Sequence, residues 1–229
     1  MTIRLASLDM AGTTIAEQGT VYAVLRRTVE ESTGRQISDE LLSRWGGTGK
    51  HAAIGGLLSE LGEDVSRQDA LFEVFKQTLA AEYAADPPTL IPGVRAAVGE
   101  LRAAGVKVAL QTGYSRDVAE PLLETVGWAV GDDIDALVTS DEVPASRPAP
   151  FLIFRTMEAT GVTDVAQVLT AGDTANDLGA GVAAGARFVV GVTTGAYTAE
   201  QLGTHRHTHL LASAAQLPAL LRSEGELPS

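Results

Sequence analysis

The sequence predicts an α/β fold: a doubly wound, Rossmann-like sheet of parallel strands, interrupted after its first strand by an all-helical insertion. Three features of the 229-residue chain predict it. Short apolar runs alternate with helix-length segments on either side of a long gap. The helix-length segments end on or beside glycines, the residue best able to close a helix in left-handed geometry. The gap itself, residues 17–87, carries helical spacing of its apolar residues and no strand pattern.

The first run, residues 3–8, reads as a strand that delivers Asp9 to its carboxyl end. Helical periodicity follows in Val21, Val24, Leu25 and Val29, then Leu41 and Leu42, then Leu57, Leu58 and Leu61, then Leu71, Val74, Phe75 and Leu79. It closes at Asp86-Pro87-Pro88, where prolines block continuation. The α/β core is therefore expected over residues 1–16 and 88–229, with the insertion at 17–87. Further strands are expected at 106–111, 136–139, 168–171 and 188–192, with helices at 94–104, 116–126, 150–160 and 175–184. His205, His207 and His209 alternate like a solvated late strand leading into Leu210-Leu211, and the tail 223–229 is expected to fray.

Composition narrows the function. Hydrophobic residues make up 45% of the chain and charged residues 20%, the balance of a packed globule and not of a disordered tail. Against 29 Asp+Glu stand 17 Lys+Arg, a net charge of −12. That field argues against nucleic acid and against an anionic membrane as partners. A small anionic ligand stays compatible, because a few local cations or a metal suffice to hold it. The chain has no Cys, which removes disulfides and thiolate chemistry. The apolar stretch before Asp9 is too short for a signal sequence, and no stretch approaches the roughly 18 apolar residues of a membrane span, so the expected location is cytoplasmic.

In an open α/β sheet the ligand crevice lies beyond the carboxyl ends of the strands. Asp9, followed by Met10-Ala11-Gly12-Thr13-Thr14, stands at one such end as a candidate nucleophile or metal ligand, or as a simple turn-capping Asp. Gln111-Thr112-Gly113-Tyr114 offers a hydroxyl and backbone amides at another. Gly172-Asp173-Thr174-Ala175-Asn176-Asp177 brings two acids four residues apart at the start of a helix, where like charges are costly unless a cation or hydrogen bonds offset them. Asp177 alone would read as a helix cap. Arg147, in Ser146-Arg147-Pro148, is placed on a loop from which it can bridge a phosphate and Asp9, although a loop arginine on its own is ordinary surface.

Asp9, Thr112, Arg147 and the Asp173/Asp177 pair, in this order and at strand ends, resemble the four motifs of the haloacid dehalogenase superfamily across essentially the whole chain. The helical insertion resembles that superfamily's cap domain. Asp9-Met10-Ala11-Gly12-Thr13-Thr14, Thr112-Gly113-Tyr114 and Arg147-Pro148 resemble the phosphonatase branch more narrowly. Most phosphatases of the superfamily carry a second Asp two residues after the nucleophile, which protonates the leaving group; here that position is Ala11, which has no proton to give.

The resemblance also implies a role for Lys50, in Trp45-Gly46-Gly47-Thr48-Gly49-Lys50-His51. A cap lysine at the corresponding place in phosphonatase forms a Schiff base with the substrate aldehyde, and a protonated imine accepts the electrons of a breaking C–P bond. The segment is neither a dinucleotide fingerprint, since no strand precedes it, nor a P-loop, since Arg44 and His51 stand where a Gly and a Ser/Thr are required. A lysine that only clamps substrate is the simpler reading. The phosphonatase Met and His that flank the lysine are replaced by Gly46 and Ala53, and His51 is the candidate substitute.

By resemblance, Mg²⁺ is expected between Asp9, the Ala11 carbonyl and Asp173, with Asp177 in support. Gly12, Thr13, Thr112, Gly113, Tyr114 and Arg147 are expected around the phosphoryl group, with Trp45 and His51 near Lys50. The expected substrate is a small phosphonate or phosphorylated metabolite. The readings in competition are a 2-oxoalkylphosphonate hydrolase, a phosphoglycolate-phosphatase-like phosphomonoesterase, a receiver-like phospho-acceptor and a nucleotide-binding module. The last two are disfavoured by the insertion and by the missing glycine fingerprint. A homodimer through the cap is compatible with the apolar first cap helix.

Overall fold

A computed structural model describes residues 2–227. The chain runs β1 Leu5–Asp9, β2 Ile15–Ala16, α1 Thr20–Thr33, α2 Asp39–Arg44, α3 Lys50–Glu60, α4 Gln68–Ala85, β3 Thr89–Leu90, α5 Val94–Ala103 and β4 Lys107–Gln111. It continues α6 Arg116–Thr125, β5 Ala136–Val138, α7 Phe151–Thr160, β6 Val168–Gly172, α8 Ala175–Ala184, β7 Phe188–Val192, α9 Ala199–Gly203, β8 His209–Leu211 and α10 Leu217–Ser223. The predicted parallel sheet is present, six strands in the order β5-β4-β1-β6-β7-β8 with every pair parallel. The order reverses between β1 and β6, which opens a crevice at their carboxyl ends.

Alternation along the central strands builds the two faces. Ala6 and Leu8 of β1 and Val108 and Leu110 of β4 join α5 and α10 in one apolar cluster, while Leu5 and Ala109 join Ile153, Met157, Ala180 and Ala184 of α7 and α8 in another. The pairing register sets Leu8 against Ala171 and Asp9 against Gln111. Asp9, Thr112 and Asp173 therefore emerge at one edge of the sheet.

Between β2 and β3, which pair antiparallel, the chain is helical, as the apolar spacing predicts. This two-stranded ribbon is absent from the sequence-based elements because two residues per strand leave no period to read. The late strand begins only at His209, as the edge of the sheet, with His205 exposed before it. Residues 223–227 correct the expectation of a frayed tail: Glu226 is buried, accepts the Ile3 N–H at 3.1 Å and pairs with Arg187, so the segment is tied to the start of the fold; residues 228–229 lie outside the described part. Among the described residues no helix is long and apolar enough to cross a membrane.

Candidate active site

The strand ends converge as the sequence predicts. Asp9 closes β1 and is 4% exposed. Behind it the chain turns sharply: the amides of Thr14 and Ile15 both donate to the Met10 carbonyl, at 2.9 and 2.8 Å. Gly12 occupies the left-handed region at φ 82°, and a Cβ there would lie 2.6 Å from Oδ2 of Asp173, so the turn needs glycine for both conformation and space.

Arg147 is not the surface arginine that its loop position allows. It is buried, and its Nη1 donates to Oδ1 of Asp9 at 2.7 Å and to Oδ1 of Asp177. Its Nε is buried without a partner, a donor left over for a ligand. Asp177 caps a helix, as its position alone suggests, and its other oxygen meets a guanidinium. Oδ2 caps α8, accepting the Thr174 N–H at 3.1 Å and the Thr174 hydroxyl, while Oδ1 takes Arg147.

Asp173 accepts the Ala196 N–H at 2.6 Å and the Thr13 hydroxyl at 3.4 Å, and among the described residues no guanidinium or ammonium pairs with it. Burial, with Asp9 and Asp177 nearby, pushes its carboxyl well above the usual range. Burial likewise raises Asp9 to about 6, against the pull of Arg147. Oxygens of Asp9, Asp173 and Asp177 all lie within 4.8 Å of one another. Three buried carboxylates around one guanidinium leave a deficit of positive charge, and the hard oxygen donors suit a divalent cation. The residues fit a metal.

Lys50 is the first residue of α3 and is 5% exposed. The α3 N-terminus docks on the loop after β4, where the Lys50 N–H donates to the Gly113 carbonyl at 3.0 Å. A Cβ on Gly113 would overlap the Thr48 carbonyl, so this close approach of insert to core requires glycine. The Lys50 amine donates to the Thr48 carbonyl at 3.0 Å and sits 5.1 Å from the ring centre of Tyr22 and 5.7 Å from that of Tyr114. Burial, with Arg147 nearby, lowers the amine to about 8. Asp9, Ala11, Lys50, Thr112, Gly113, Tyr114, Arg147 and Asp173 line one small cavity of about 10 Å³, walled also by Val21, Tyr22 and Gly47. Thr112 accepts the Tyr114 N–H at 3.1 Å and continues the ladder to β5 through its own N–H.

Gly12 and Thr13 are not among the residues that line this cavity, and the two residues expected near Lys50 lie elsewhere. Trp45 packs its ring over Gly56 of α3 and donates its indole N–H to Glu60 at 3.2 Å. His51 is half exposed and bonds Asp69 at 2.7 Å and Gln68 at 3.1 Å, because the residue after Lys50 turns about 100° round the helix towards α4. Tyr22 takes the place at the amine and also accepts the Gly47 N–H at 2.9 Å. In the sequence it is one aromatic on an amphipathic helix, with no signal separating it from core.

A family model of haloacid dehalogenase-like hydrolases matches residues 3–185. The phosphonoacetaldehyde hydrolase of Bacteroides fragilis is 37% identical over 152 residues, which is 66% of this chain and 55% of that protein. The chain thus spans about half the length of the curated relatives it matches. Among solved structures, a hydrolase from Pseudomonas syringae superposes with a TM-score of 0.84 at 19% identity, covering 97% of this chain and 99% of that one. A phosphonoacetaldehyde hydrolase-like protein from Oleispira antarctica gives 0.80 at 21%, covering 99% and 96%. These two likenesses concern the fold. The family match takes in β1 with Asp9, the helical insert with Lys50, the loop of Arg147 and the Asp173/Asp177 pair, and on that ground the chain belongs to the haloacid dehalogenase-like hydrolases.

Proposed function

We propose that the chain is a phosphonatase-like hydrolase that cleaves the carbon–phosphorus bond of a 2-oxoalkylphosphonate such as phosphonoacetaldehyde. The observation that carries the reading is the Lys50 amine, buried, lowered to about 8 and facing the same cavity as Asp9 and Arg147. The position two residues after Asp9 is Ala11, so the site holds an amine where a phosphatase needs an acid. Similarity to phosphonoacetaldehyde hydrolases supports the same reading.

Neutral Lys50 adds to the carbonyl carbon, the carbonyl oxygen departs as water, and the resulting imine takes up one proton from solvent. A carboxylate oxygen of Asp9 attacks phosphorus, and the C–P electron pair moves into the imine to give an enamine and an aspartyl phosphate. Water then hydrolyses the aspartyl phosphate to phosphate and free Asp9. The enamine takes a proton on carbon, and a second water releases the aldehyde and Lys50. Arg147 keeps Asp9 ionised and turns its remaining N–H groups to the phosphoryl oxygens, beside the Thr112 hydroxyl and the Gly113 amide. Mg²⁺ would be held by Asp9, the Ala11 carbonyl and Asp173, with Asp177 in support, and when bound supplies the positive charge that lets a carboxylate approach an anionic phosphoryl group.

Incubation with phosphonoacetaldehyde and Mg²⁺, borohydride reduction and peptide mapping test the reading. A reduced adduct on Lys50 is expected. No adduct, together with fast turnover of p-nitrophenyl phosphate, would replace it with a phosphomonoesterase in which Lys50 only clamps substrate.

A further inference from the structure

Three side chains outside the proposed chemistry form a hydrogen-bonded chain where the insert meets the core. Glu17 follows β2 and is buried; its Oε2 accepts the Val21 N–H in the first turn of α1 at 2.7 Å and the Tyr83 hydroxyl at 3.1 Å. Tyr83, in the last turn of α4, has its hydroxyl oxygen 2.9 Å from that of Tyr114. A tyrosine has one hydroxyl proton, and an ionised carboxylate only accepts. Tyr83 therefore donates to Glu17, and Tyr114 donates to Tyr83. Burial raises the Glu17 carboxyl, but the Val21 N–H and the Tyr83 hydroxyl both favour its charged form.

The direction of this chain matters for the amine. Tyr114 is held at its backbone by Ser140, whose N–H and hydroxyl donate to its carbonyl at 2.9 and 3.1 Å. Its ring tip is held by Tyr83. Tyr83 belongs to the insert and Tyr114 to the core, so the ring is clamped at both ends only while the insert is seated. The centre of the clamped ring lies 5.7 Å from the Lys50 nitrogen, and that of Tyr22 lies 5.1 Å from it. Aromatic faces exclude water from a neutral amine and favour the cation that an imine becomes on protonation.

We propose that Tyr83, oriented by Glu17, is a positioning residue for Lys50: seating of the insert locks the Tyr114 ring beside the amine and completes its aromatic wall. The proposal rests on the reading of Lys50 as the imine-forming residue. Tyr83→Phe keeps the ring and deletes both hydrogen bonds, and Glu17→Gln keeps an acceptor but removes the charge. The measurement is the rate of borohydride-trapped adduct formation on Lys50 with phosphonoacetaldehyde as its concentration is varied.

In Tyr83→Phe the saturating rate is expected to fall about tenfold, less than the roughly hundredfold loss of a reacting group displaced by about an ångström because only the neighbouring ring is released, with the half-saturating concentration within about twofold. Glu17→Gln is expected to fall between the two, and Tyr83→Phe in a Tyr114→Phe background to cost nothing further, since Tyr83 acts through Tyr114. An adduct on the wild-type protein that forms at the same rate in Tyr83→Phe, or a loss that adds fully to that of Tyr114→Phe, overturns the proposal alone. Absence of any adduct on the wild-type protein overturns the reading of Lys50 and the proposal with it.

Discussion

A single nitrogen of Arg147 joins Asp9 to Asp177: Nη1 donates to Oδ1 of both, and all three side chains are buried. The carboxylate at the end of the first strand is thereby fixed to the first turn of a helix that follows the fourth strand of the core.

Arg147→Ala leaves three buried carboxylates with no guanidinium among them. Breaking a buried ion pair from one side costs about 3–5 kcal/mol. Urea denaturation at pH 7 in a chelator should show a loss of that order, and phosphonate turnover should fall below detection.

Without metal, stability should decrease as pH rises through about 6. The Asp9 carboxyl is raised from 3.8 to about 6, so between those values the folded chain binds the proton that the unfolded chain has lost, and the cost is fully present above the folded value. Asp173 shifts in the same direction. Thermal melts in a chelator should therefore be higher at pH 5 than at pH 7. Mg²⁺ should raise the melting temperature at pH 7 and do little at pH 5, where protons already occupy Asp9 and Asp173.

Lys50→Met should abolish adduct trapping and stabilise the protein at neutral pH. The amine is lowered from 10.5 to about 8, which sets the cost of burying its charge at no more than about 3 kcal/mol. That cost is fully present below pH 8 and disappears as pH rises from 8 to 10.5, where the folded chain has released the proton that the unfolded chain keeps. Denaturation curves for wild type and variant should accordingly converge towards pH 10.

Gly113→Ala puts a methyl group into the Thr48 carbonyl, at the point where α3 meets the core. Activity should drop by more than about a hundredfold, the size of effect expected when reacting groups are displaced by about an ångström. Denaturation of the α/β core should change little, and limited proteolysis should cut faster within residues 17–87. Intact activity would show that the insert has another way to seat.

The sheet was legible because strands buried on both faces read as apolar runs, and Ala175–Ala184 ends where its glycine predicts. Asp9, Thr112, Arg147 and Asp173 could be placed together because each follows a strand or precedes a helix at the same edge. His51 could not be placed from proximity to Lys50 in sequence, because a helix turns successive residues about 100° apart, and Trp45 could not because it lies in the turn before α3 and folds back on Gly56. Tyr22, Glu17 and Tyr83 were invisible for a related reason: each owes its role to a partner dozens of residues away, and no local spacing encodes that meeting. Arg147 illustrates the opposite limit, a residue whose type and order pointed to the site while its burial could come only from the fold.

A cavity of about 10 Å³ has room for about one water molecule. A second cavity of about 400 Å³, lined also by Gly12, Glu17, Gly19 and Gly195, shares Ala11, Tyr22 and Asp173 with it, so the space at Asp9 and Lys50 adjoins a larger one on the Asp173 side. The carboxylate wall of the site thus faces open volume, while its Lys50 wall is packed between the rings of Tyr22 and Tyr114.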